Sequence, residues 1–154
     1  MIEFFTNNKG FTFVEMTVTL TVIMVILGMS VLYSQATQVR SDLNGQVTQF
    51  VSRVRLAQSD AKAGKEGLDH GIYMKFSEYV VFSGDSYVED ADGNIVMDLP
   101  GTITIQNIIL NGGGSEVLFA SPDGETTNYG TVDFVAQNGS TTTITITQIG
   151  TVDY

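Results

Sequence analysis

The 154-residue chain has room for one extended element and one small core, and its lack of cysteine excludes disulfides and thiolate chemistry. Lys and Arg number 7 against 17 Asp and Glu, for a net charge of −10, which argues against a groove that tracks nucleic-acid phosphates. Such acidity suits a solvated exported surface or a partner with a basic patch.

The first element is the most informative. From Lys9 to Tyr33 the chain reads KGFTFVEMTVTLTVIMVILGMSVLY, a basic residue and a glycine followed by an apolar run whose single formal charge is Glu15. About 20 apolar residues at roughly 1.5 Å each cross a hydrocarbon core, so Phe11 to Tyr33 is expected to span a membrane. A carboxylate near the start of such a span is costly in lipid unless something pairs with it, which makes Glu15 a functional candidate. A secretory signal peptide does not fit: the apolar core is too long, and Ser30 and Ala36 offer no small-x-small cleavage site. Lys9 on the N-terminal side places the short N-terminus in the cytoplasm. Thr17, Thr19 and Thr21 are expected to bond to their own i−4 carbonyls or to a neighbouring helix, and Gly28 with Ser30 forms a patch where helices can approach closely.

Beyond Tyr33 the polarity changes while helical periodicity continues. Val39, Leu43, Val47, Phe50, Val54, Ala57 and Ala61 recur at steps of three or four and form one stripe. No proline interrupts Phe11 to Ala63, so one long helix is expected, with Gly45 its weakest point at about 1 kcal/mol relative to alanine. Gly64 and Gly67 end the pattern, and Lys62 and Lys65 lie where cations suit the helix dipole.

From Asp69 onward the period becomes alternating. Ile72, Met74 and Phe76 mark a half-buried strand, and Tyr79 to Phe82, Ile95 to Met97, Thr102 to Leu110 and Glu116 to Ala120 follow between turns rich in Gly, Pro, Asp and Asn. Thr131 to Val135 and Thr142 to Ile149 read as a hairpin, with Val152 and Tyr154 in a last short strand. The expected fold class is α+β: a long N-terminal helix, membrane-spanning in its first half, packed on an antiparallel sheet.

Gly10-Phe11-Thr12-Phe13-Val14-Glu15 resembles the processing motif of type IV pilins and of type II secretion pseudopilins. The resemblance implies cleavage between Gly10 and Phe11 by a membrane peptidase that also methylates the new terminal residue, Phe11. Glu15 then becomes the fifth mature residue, where the family carries its characteristic glutamate. The freed amine of Phe11 is a cation, and in a filament of packed helices Glu15 of one subunit can meet the amine of the next. The implied division is a leader over 1–10, a transmembrane or filament-core helix over 11–33, an amphipathic stalk helix over 34–64 and a β-rich pilin domain over 65–154. Implied partners are the prepilin peptidase and N-methyltransferase, other pilin or pseudopilin subunits, and an inner-membrane assembly platform, with a separate ATPase supplying power. Many major pilins carry a proline further along this helix, and its absence here leans toward a pseudopilin or minor subunit.

The later segments His70 to Phe76, Phe119 to Gly124, Gly130-Thr131-Val132-Asp133-Phe134 and Ile144 to Val152 resemble in style the globular region of GspH/FimT-type minor pseudopilins. A minor subunit of a type II secretion pseudopilus in the inner membrane is thus the first expectation. A type IV pilus subunit, major or minor, is the alternative, and a membrane-tethered binding module that never assembles is a third. No cofactor and no enzymatic role are expected: no nucleophile is paired with a base, and Gly112-Gly113-Gly114 lacks the lysine and following helix of a phosphate loop. His70, the sole histidine, is expected to be exposed or in a turn. Asp90, Asp92 and Asn94 place oxygen ligands at alternate positions, a loose echo of calcium loops. They lack the spaced glutamate and flanking helices of the full hand, so a solvated turn is the expected reading.

Overall fold

A computed structural model describes the backbone of residues 10–154, together with the side chains outside residues 30–37. Two compact units make up the chain, Met1–Thr37 and Gln38–Tyr154. Helix α1 runs from Phe13 to Lys62. It starts two residues later and ends one residue earlier than the expected Phe11 to Ala63, and Gly45 does not interrupt it. The helix stops where Gly64 adopts a left-handed conformation (φ 61°), which costs glycine nothing and lets its N–H reach the Ala61 carbonyl at 2.9 Å. A 3-10 turn over Lys65–Gly67 follows.

Eight strands follow: β1 His70–Met74, β2 Glu78–Ser83, β3 Ile95–Asp98, β4 Ile103–Leu110, β5 Glu116–Phe119, β6 Gly130–Ala136, β7 Thr141–Ile146 and β8 Val152–Asp153. They form two antiparallel four-stranded sheets in the orders β3-β2-β1-β5 and β4-β6-β7-β8. This corrects the single sheet expected from sequence. The expected hairpin is present, with Thr131 opposite Thr145 and Val135 opposite Thr141. Its second strand ends at Ile146 because a turn closes with the Gly150 N–H on the Thr147 carbonyl at 2.9 Å.

The core lies between the second half of α1 and both sheets. Leu43, Val47, Phe50, Val54, Ala57 and Ala61 are buried as the stripe requires, and Val39 is half-buried. Val51, one position off the stripe, is buried too. Phe50 sits at the centre, edge-on to Tyr79 at 5.1 Å and tilted against Phe134 at 5.0 Å, so one helical side chain holds a strand from each sheet. In β6, Val132, Phe134 and Ala136 face inward with the period of two that a half-buried strand requires. Polar ties fix the helix against the loops: Gln58 Nε2 donates to the carbonyls of Gly124 at 3.0 Å and Ile149 at 2.7 Å, and Arg55 donates to Val152 O at 3.2 Å.

Two expectations in the first strand are corrected. β1 ends at Met74 and the chain turns back, with the Lys75 N–H on the Glu78 carbonyl at 2.9 Å. Phe76 therefore lies outside the strand and is 63% exposed. His70 is buried, not exposed. Its Nε2 lies 3.2 Å from the Lys65 carbonyl, which can only accept, so that nitrogen carries the proton and Nδ1 accepts from Ser83 Oγ–H at 3.0 Å. The ring thereby ties the 3-10 turn to the end of β2.

Candidate processing and assembly site

Gly10 and Phe11 precede α1 and are exposed, in non-helical backbone. A Cβ built on Gly10 meets nothing within 4 Å among the described residues. Thr12 occupies the position before the first helical residue, and its Oγ1 accepts the Glu15 N–H at 3.3 Å. That bond satisfies one of the backbone donors left free at a helix start. Threonine followed three residues later by glutamate is the spacing of a capping box. The motif already contains Thr12, and its spacing to Glu15 is the signal for the capping role.

Glu15 is thereby fixed in the first turn of α1, where the exposed N–H groups carry partial positive charge and favour a carboxylate. Among the described residues no cation lies within ion-pair distance of it. Thr17, Thr19 and Thr21 donate to the carbonyls of Phe13, Glu15 and Thr17 at 2.6, 2.7 and 2.8 Å, which takes up their hydroxyls within the helix. From Phe13 to Met29 every described side chain is exposed, Phe13 at 86% and Met29 at 68%. An exposed apolar surface of this extent marks an interaction site.

Among the described residues, no helix is long and apolar enough to cross a membrane. The apolar run described side chain by side chain stops at Met29, roughly 26 Å of axis against a core of about 30 Å. The expected remainder of the span to Tyr33, and Lys9 with the rest of the leader before Gly10, lie outside the described residues.

No three His, Asp or Glu side chains gather into a metal-binding set among the described residues. Asp90, Asp92 and Asn94 lie in the turn before β3, and the Asn94 side-chain amide donates to the Val88 carbonyl at 2.8 Å, closing that turn. Nearby Lys75 bridges Glu78 at 2.8 Å and Glu89 at 3.2 Å, and these hydrogen bonds raise its pKa above the ordinary lysine value.

Residues 5–31 match the family pattern described as the prokaryotic N-terminal methylation motif. The chain carries a prepilin signal. This is the signal that type IV pilins and pseudopilins share, and the match contains Gly10, Phe11, Thr12 and Glu15 together. No curated protein and no solved structure matches the chain significantly.

Proposed function

We propose that this chain is a structural subunit of a pilin-like filament, and specifically a minor pseudopilin of a type II secretion system. The observation that carries the reading is the methylation motif over residues 5–31, with an exposed Gly10-Phe11 bond ahead of a capped helix. On this reading a prepilin peptidase cuts after Gly10 and methylates Phe11. The chain is then held in the inner membrane by residues 11–33, with its C-terminal domain outside the cytoplasm, until an assembly platform draws it into the filament. Glu15 pairs with the terminal amine of the neighbouring subunit, a contact that sets axial register more than net stability because both charges must be desolvated. The exposed apolar surface of Phe13 to Met29 supports the exchange of lipid contacts for helix contacts. A type IV pilus subunit is the second reading, favoured by the same motif.

Shearing filaments from cells that express the chain with its peptidase tests the proposal. The expected result is processed chain in the sheared fraction, with the Glu15→Ala variant processed but left in the membrane. Processed wild-type chain confined to the membrane fraction contradicts filament assembly and favours a tethered binding module.

A further inference from the structure

The four strands at the sheet edges differ in how well they are protected. β4 carries a bulge between Gln106 and Ile109, β8 has only two residues, and β5 has alternate side chains buried. β3 has no bulge and no proline, and Ile95 and Val96 are 50% and 52% exposed on its two faces. An apolar edge left in this state is a template for another strand. On the helix-facing side, Ile95 continues into a cleft of about 310 Å³ between α1 and the β2-β3 edge, where Leu56 and Leu68 are also partly exposed at 47% and 39%. One cleft thus collects three large apolar side chains beside one row of unpaired backbone groups.

Charge identifies the occupant. Residues 76–154 contain no Lys, Arg or His but hold most of the chain's 17 carboxylates. Asp92 and Asp98 bracket β3, and within the cleft Lys65 is bound to Asp60 at 2.9 Å, which leaves Arg53 outnumbered by Glu66 and Asp92. Pairing β3 with β3 of a second copy would bring these carboxylates together, which like-charge repulsion opposes.

We propose that the β3 edge and its cleft bind an extended segment of a different protein, apolar at alternate positions and carrying Lys or Arg between them. Main-chain hydrogen bonds to β3 supply affinity, alternate side chains enter the cleft beside Ile95, the intervening cations meet Asp98 on the opposite face, and Asp92 adds negative potential at the cleft. This inference stands apart from the filament reading, since it uses only the domain beyond residue 38.

The test uses the full chain in detergent micelles with a labelled peptide of alternating lysine and valine, and the same peptide with glutamate for lysine. Saturable binding of the lysine peptide is expected, with amide exchange in residues 95–98 slowed at least tenfold and the glutamate peptide inert. Ile95→Lys should weaken binding tenfold or more without changing the unfolding temperature. Should that variant unfold, the Asp92→Asn and Asp98→Asn double variant should lower affinity for the lysine peptide severalfold. No binding, equal binding of both peptides, or protection away from β3 overturns the proposal. So does a self-associated chain that Ile95→Lys makes monomeric, because the edge then serves a second copy.

Discussion

Among the described residues nothing requires glycine at position 10, since an added Cβ there meets no atom within 4 Å. On the proposed reading it is the peptidase that requires glycine, because it takes an extended backbone without a Cβ. Gly10→Val should therefore abolish cleavage on an immunoblot while leaving the unfolding temperature unchanged; efficient processing of that variant would remove the assignment. Two residues in the globular unit allow sharper stability predictions. The Tyr79 hydroxyl is buried with no hydrogen-bond partner, and burial pushes its pKa up to about 12. Replacing Tyr79 with Phe removes an unpaired polar atom while keeping the ring against Phe50, so stability should be unchanged or rise by up to about 1 kcal/mol in urea denaturation. Asp133 accepts from Thr143 Oγ1 at 2.6 Å and from Asn107 Nδ2 at 2.9 Å, and these bonds hold its pKa below the usual value of 3.8. A carboxylate with a depressed folded pKa contributes stability above its unfolded pKa and loses it as pH falls through the folded one. Thermal melts of the wild type should therefore fall more steeply below about pH 4 than those of Asp133→Asn. Glu15 was legible at once, because an isolated charge in an apolar run stands out. His70 was not, because its two partners come from the 3-10 turn and the end of β2, which only the fold brings together.

Among the elements, α1 was the most readable because its signal is local. A stripe at steps of three and four needs only one partner surface, and the structure supplies it with two sheets. Val51 obeys the same rule, four residues after Val47 and three before Val54, and only the choice of Phe50 for that turn of the stripe left it out. The β6-β7 hairpin was equally legible, since its partners are neighbours in sequence. The division into two sheets was not, because pairing β1 with β5 joins strands separated by β2, β3 and β4, and nothing in alternation specifies that choice. Phe50 tests how far the three elements depend on one another. Phe50→Ala should cost about 3–5 kcal/mol and lower the urea midpoint accordingly, since it empties a fully buried site between Tyr79 and Phe134. A loss under about 1 kcal/mol would mean that the sheets hold together without the helix. Gly71 constrains the other side of the first sheet: an added Cβ would lie 2.6 Å from Phe82 Cζ and 2.7 Å from the Val117 carbonyl.

The whole molecule divides by what each part buries. Unit Gln38–Tyr154 closes its own core, whereas the described apolar side chains of Met1–Thr37 are covered by nothing among the described residues. On the proposed reading this N-terminal part meets lipid first and other subunits afterwards. On the proposed reading, processing is the event that commits it, because the cut would free an amine next to Glu15, which pairs with no cation among the described residues. Intact-mass spectrometry of the chain recovered from cells with an active prepilin peptidase addresses that event directly. The expected mass lacks residues 1–10 and carries one additional methyl group on Phe11. A full-length, unmethylated chain from those same cells would contradict it.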